Sequence, residues 1–250
     1  MKITFLGTGT STGVPQTGCT CEVCTSHDPR DARLRSSILV ETGEANLLID
    51  CGPDFRQQML HRYMRLDGVL VTHEHYDHVG GIDDLRPFCA FGDIQIYAEK
   101  NVCTAIRTRL PYCFYEERYP GVPAIELNPI TLDPFFVNGV EIIPLRLMHG
   151  RLPIVGYRIG DMAYLTDMLT MPDSEYAKLT GLKALIIDAL RIEPHNSHQH
   201  LAAAVDNIRR IAPQHAYLIH MSHQIGLHAQ TQQSLPEDIT LSWDGLQIEI

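Results

Sequence analysis

The sequence predicts an α/β sandwich in four layers, αββα, with two mixed sheets packed together and helices outside them. Strand-like apolar runs and helical segments occur in both halves of the chain, without the regular strand–helix–strand alternation of a doubly wound parallel sheet. Hydrophobic residues make up 44% of the chain and charged residues only 20%, enough apolar material for a sizeable core. At 250 residues, against a soft prior of ~150 per domain, the expectation is one domain spanning 1–250.

Taken in order, Lys2-Ile3-Thr4-Phe5-Leu6 reads as a strand closed by Gly7-Thr8-Gly9-Thr10-Ser11-Thr12-Gly13, whose glycines permit tight turns. After a cysteine-bearing loop, Ser37–Glu41 and Asn46–Asp50 form a hairpin about a turn containing Gly43. Pro53-Asp54 opens a helix expected to end near Met64, and Asp67–Thr72 is a strand that delivers the chain to His73. Further strands are expected at Ile94–Ala98, Phe136–Leu147, Val155–Ile159, Met162–Leu165, Ala184–Asp188, Ala216–Ile219 and Thr240–Ile250. Helices fit Asn101–Leu110, Pro172–Thr180 and Leu201–Ile211, the last with Leu201, Val205, Ile208 and Ile211 at spacings of three and four.

Charge excludes a general nucleic-acid binder: 20 basic against 30 acidic residues give a net charge of -10, with no Lys/Arg cluster to meet a run of phosphates. No apolar run approaches the ~20 residues that span a bilayer, so no membrane partner is expected. Lys2 precedes only four strand residues before Gly7, too few for the core of a secretory signal, and the expected location is the cytoplasm. An odd count of seven cysteines argues for metal ligation or burial rather than a disulfide framework.

The chemistry concentrates in His73-Glu74-His75-Tyr76-Asp77-His78. Residues two apart on extended chain point the same way, so His73 and His75 can close on one cation. A turn into a following helix swings Asp77 and His78 toward a second. Crowding three imidazoles and a carboxylate without a cation is costly.

This run, followed by Val79-Gly80-Gly81-Ile82, resembles the His-x-His-x-Asp-His signature of the metallo-β-lactamase superfamily. The resemblance implies further ligands after later strands: His149, Asp167 and His220, with Asp50 as a supporting carboxylate. It places His73, His75 and His149 on one divalent metal, Asp77, His78 and His220 on the other, and Asp167 between them. Two catalytic Zn or Mn ions holding a hydroxide would then hydrolyse a small phosphodiester.

Cys19-Thr20-Cys21-Glu22-Val23-Cys24 offers three thiolates at zinc-site spacing, and His223 offers a fourth ligand three residues beyond His220. With Gly7-Thr8-Gly9, Gly13-Val14-Pro15, His220-Met221-Ser222-His223-Gln224 and Asp244-Gly245, this loop resembles the PhnP-like phosphodiesterase branch. That branch implies a structural Zn on Cys19, Cys21, Cys24 and His223, a homodimer, and a cyclic ribosyl phosphate as substrate. It also implies a general acid at His198, with His200 the competing choice and Gln199-His200 standing where the branch has Cys-Asp. Cys51, Cys89, Cys103 and Cys113 read as core or incidental, Trp243 as strand packing, and Arg86, Arg107 and Arg109 receive no role.

Three other readings share some of these features. A tRNA 3′-end endonuclease has the same signature but calls for a basic patch or protruding arm. A glyoxalase II-like thioesterase would prefer a glutathione thioester, and a non-catalytic zinc-binding sensor would hold zinc at the cysteines alone.

Overall fold

Side-chain alternation explains how both faces of each sheet become buried. In β2 (Ser37–Glu41), Ile38 and Val40 point between the sheets and Leu39 points into a helical layer. A strand covered on both faces reads as an unbroken apolar run, as Ile38-Leu39-Val40 does.

The computed structural model describes residues 1–117 and 121–250. Besides β2, the first sheet contains β1 (Lys2–Gly7), β3 (Asn46–Ile49), β4 (Gly68–Leu70), β5 (Ile94–Glu99), β6 (Ile125–Ile130) and β14 (Gln247–Glu249). The second contains β7 (Phe135–Val137), β8 (Val140–His149), β9 (Leu152–Ile159), β10 (Met162–Leu165), β11 (Ala184–Asp188), β12 (His215–Ile219) and β13 (Ile239–Leu241). Their orders are β14-β1-β2-β3-β4-β5-β6 and β13-β12-β11-β10-β9-β8-β7, each mixing parallel and antiparallel pairs. One apolar cluster, with Phe5, Ile49, Tyr157 and Ile186, lies between the sheets. A second packs α1 (Phe55–Met59), α2 (Tyr76–Val79) and α3 (Lys100–Arg109) on the first sheet through Phe55, Val79 and Ile106. A third packs α4 (Leu201–Ile211) on the second sheet through Ala204, Ile208 and Ile211, and α5 (His228–Gln233) lies beside β13. The expected four-layer sandwich is the observed one.

Several elements depart from expectation. The strand expected over Phe136–Leu147 is a hairpin, because Asn138 (φ 48°) and Gly139 (φ 84°) form a two-residue turn between β7 and β8. Thr240–Ile250 divides between the sheets: β13 ends at Leu241, the chain turns at Gly245 (φ 90°), and β14 pairs with β1. The helix after Pro53 stops at Met59, where the Arg62 N–H bonds back three residues to the Met59 carbonyl. The segment at 173–179 winds as a 3₁₀-helix, with the Glu175 N–H on the Pro172 carbonyl, and Glu175 turns inward to Lys178 and the Arg146 N–H.

This topology gathers strand ends. Parallel pairing of β3 with β4, and of β10, β11 and β12 with one another, puts their carboxyl ends on one side of each sheet. In open α/β sheets that is where ligand crevices form.

Candidate metal centre

Six chain segments leave those carboxyl ends carrying a polar side chain: Asp50 after β3, His73 after β4, and His149, Asp167, Asp188 and His220 at or after β8, β10, β11 and β12. Asp50 (φ 62°), Asp167 (φ 54°) and His220 (φ 61°) adopt the left-handed backbone region, which costs a non-glycine residue free energy and is concentrated at functional sites. The left-handed turn aims each side chain across the rim instead of along the strand.

Two donor sets result. His73, His75, His149 and Asp167 offer one ligand atom each, all within 4.8 Å of one another, and Asp77, His78, Asp167 and His220 do the same. Asp167 belongs to both. Asp77 and His78 come from the first turn of α2, which packs on the Cys51-Gly52 backbone: the Cys51 N–H bonds to the His78 carbonyl and the Gly81 N–H to the Cys51 carbonyl. A Cβ on Gly52 would lie 2.1 Å from the Asp77 carbonyl oxygen, so only glycine allows this approach.

Three of the rings, those of His73, His78 and His149, are braced through Nδ1. His78 Nδ1 donates to Asp50 at 2.7 Å, and Asp50 also accepts from the Thr72 N–H at 2.9 Å. His73 Nδ1 lies 3.0 Å from Thr72 Oγ1, which donates to Asp50 in turn. His149 Nδ1 donates to the Ser197 carbonyl at 2.9 Å. Thr166 Oγ1 donates to Asp167 at 2.8 Å. Nε2 of each braced histidine is thereby left facing the cluster, the arrangement in which an imidazole ligates a metal. The Nε2 atoms of His73 and His78 are buried without a hydrogen-bond partner, a costly state that a cation relieves. The residues present therefore fit two divalent ions.

The electrostatics agree. Burial drives His73 well below the ordinary imidazole range, keeping it a neutral donor. For His78, burial works downward but the Asp167, Asp50 and Asp77 carboxylates outweigh it and push it up. Burial would raise Asp77 and Asp167, yet the neighbouring His78 and His220 hold both well below the carboxylate range.

His198 stands at the edge of the cluster, its ring 4.5 Å from that of His149 and 4.9 Å from that of His220. Its Nδ1 is 3.2 Å from Asp188, a fully buried carboxylate whose other oxygen is 3.8 Å from His220 Nδ1. Burial lowers His198 and raises Asp188. His200 instead occupies the N-cap of α4 without a side-chain cap bond and joins none of the donor sets. Of the two candidate acids, His198 is the one whose ring lies beside those of His149 and His220. Asp188 carries no motif, and the sequence marks it only as the end of a strand; its place after the apolar run Ala184–Ile187 is the available signal.

The cysteine loop closes on the same neighbourhood. Cys19, Cys21 and Cys24 place Sγ 3.3, 3.2 and 3.4 Å from His223 Nδ1, a four-donor set three residues past His220. The Cys24 N–H bond and His223 pull the Cys21 thiol down to about 6, whereas burial pushes Cys24 up to about 11. Cys51, Cys103 and Cys113 are buried in the core, as expected.

Comparison with known proteins places this architecture. Residues 45–221 match the family described as beta-lactamase superfamily domain. The chain is 47% identical, over 99% of its length, to a protein named octanoyltransferase from Porphyromonas gingivalis, and spans 51% of that protein. It is 30% identical to coenzyme PQQ synthesis protein B from Methylorubrum populi, over 77% of this chain and 74% of that one. Among solved structures, a diphosphatase from the PhnP family superposes with a TM-score of 0.92 at 36% identity, covering 100% of this chain and 97% of that one. The chain belongs to the metallo-β-lactamase superfamily, in its PhnP-like branch.

Proposed function

We propose that the chain is a dinuclear metal-dependent hydrolase of small phosphodiesters. The carrying observation is the pair of donor sets sharing Asp167, with a carboxylate-braced imidazole at their edge. Divalent ions held there supply Lewis-acid activation of water and charge neutralisation at a phosphoryl group. His73, His75 and His149 would hold one ion, Asp77, His78 and His220 the other, and Asp167 both. Asp50 fixes the tautomer of His78.

His198 donates a proton to the departing oxygen, and Asp188 orients its ring. An alkoxide leaves poorly without a proton, whereas a thiolate, with a thiol pKa of ~8.5, leaves without help. The dyad therefore favours phosphodiesters over thioesters. It suits equally the reaction in the name of the PhnP-family diphosphatase, since a diphosphate also breaks a bond from phosphorus to a bridging oxygen. Cys19, Cys21, Cys24 and His223 would hold a structural zinc that clamps the N-terminal loop beside His220.

The test is hydrolysis of bis(p-nitrophenyl) phosphate by protein reconstituted with Mn²⁺ or Zn²⁺, beside p-nitrophenyl phosphate and an octanoyl thioester. Diester cleavage that is lost in His73→Ala and exceeds cleavage of the other two supports the assignment. Cleavage of the thioester alone, or of nothing with both sites loaded, overturns it.

A further inference from the structure

In the helical layer of the first sheet, α2 and α3 enclose a cleft of about 440 Å³, a size typical of small-ligand sites. Val79, Ile106 and Leu110 line it with hydrocarbon, and the Tyr76 ring and the Arg109 guanidinium complete it. Tyr76 lies between His75 and Asp77 in the chain, yet 65% of it is exposed. Its ring rests on the α2 backbone at Gly80: a Cβ there would come within 2.8 Å of Tyr76 Cζ, so glycine makes the space in which the ring lies. Arg109 donates to the carbonyl of Glu74, between His73 and His75. Among the described residues no carboxylate pairs with it, whereas nearby Arg107 is spent on the Phe114 ring, 4.5 Å from its centroid. An unpaired cation tethered to the metal-binding turn, in a chain of net charge -10, is matched to an anion.

We infer that this cleft is a specificity subsite, and that the substrate carries a flat, apolar group of the aryl class on the ester arm retained after cleavage. Arg109 steadies the phosphoryl anion as that arm settles against Tyr76. The inference rests on the phosphodiester reading above. The arm is the retained one because His198, which protonates the departing oxygen, belongs to the second sheet's layer while the cleft belongs to the first. A sugar would find few polar partners among Val79, Ile106 and Leu110 and loses water on entering; an aryl ring does not.

The experiment keeps the leaving group constant and varies the retained arm: p-nitrophenyl phenyl phosphate against p-nitrophenyl methyl phosphate, with the metal-loaded protein. Phenylphosphonate and methylphosphonate, which are not cleaved, are titrated calorimetrically as a binding readout. The phenyl ester is expected to show a KM lower by on the order of tenfold, and phenylphosphonate a matching gain in affinity. Tyr76→Ala removes most of that preference, and Arg109→Ala raises KM for both esters; both residues are exposed, so neither change threatens the core. Equal KM and affinity for the two arms, or a preference that survives in Tyr76→Ala, overturns the subsite while leaving the phosphodiesterase reading intact. Cleavage of neither ester overturns both.

Discussion

Asp50→Asn is expected to disable one donor set while leaving the protein folded. Asparagine tolerates the left-handed backbone of this position (φ 62°) and has the shape of aspartate. The Thr72 N–H donates to Oδ1 at 2.9 Å, which keeps the amide oxygen on that side. The NH₂ group then replaces Oδ2, which accepts from His78 Nδ1 at 2.7 Å. Two donors cannot face each other, so His78 must carry its proton on Nε2, the atom 3.1 Å from Asp77 and 3.3 Å from Asp167. A protonated Nε2 cannot ligate. Loss of such a support typically weakens metal binding about 10–100-fold, which is roughly 1.4–2.8 kcal/mol. The fold itself loses one charge-assisted hydrogen bond, about 1–2 kcal/mol. The assay is metal stoichiometry and affinity for Zn²⁺ or Mn²⁺ against a competing chelator, with far-UV circular dichroism and a thermal melt of the metal-free protein. One ion per chain should weaken by the stated factor while the cysteine-bound zinc stays. A folded variant that binds every ion with unchanged affinity refutes the tautomer argument.

Cys24→Ser should remove one zinc per chain and lower stability by more than about 2 kcal/mol. For a chain of this size that is a fall in Tm of roughly 4–8 °C; a melt unchanged to within a degree argues that the cluster holds no metal. Gly81→Ala places a Cβ 2.0 Å from the Gly52 carbonyl oxygen, which forces α2 off the Cys51-Gly52 backbone. A destabilisation of about 1–3 kcal/mol in urea unfolding, with loss of the ion on Asp77 and His78, is expected. Burial, and then Arg33, lowers buried His228 to about 4, below its unfolded value near 6.5. The folded state thus resists the proton: its stability is complete above pH ~6.5 and falls as pH drops toward 4. Asp244, raised to about 6 by burial, works in the opposite sense, so the contribution of His228 is read as the difference between wild type and His228→Gln across pH 4.5–7. Parallel curves for the two proteins would count against the buried-imidazole account.

What could be read from the chain alone was whatever acts over a few residues. His73-Glu74-His75-Tyr76-Asp77-His78 is legible because a strand end and one helical turn bring its ligands together locally, and Cys19, Cys21 and Cys24 lie within one loop. The Leu201–Ile211 helix shows in its apolar spacing, and the Ser37–Glu41 hairpin in its paired runs. His149, Asp167 and His220 were reached through family resemblance, since nothing in their immediate neighbours distinguishes them from ordinary polar residues at strand ends.

The tertiary structure decided the rest, because packing between segments apart in the chain leaves no periodic trace. It gave Asp50, Asp167 and His220 the left-handed backbone that turns them inward, and it set Asp188 behind His198. It brought Arg109 to the Glu74 carbonyl, 35 positions away, and made a site component of an arginine that carries no motif. It also carried the last strand into the other sheet, where Lys2 pairs with Glu249. In each case the residue type permits the role, and only burial, backbone strain and the meeting of the two sheet rims select it.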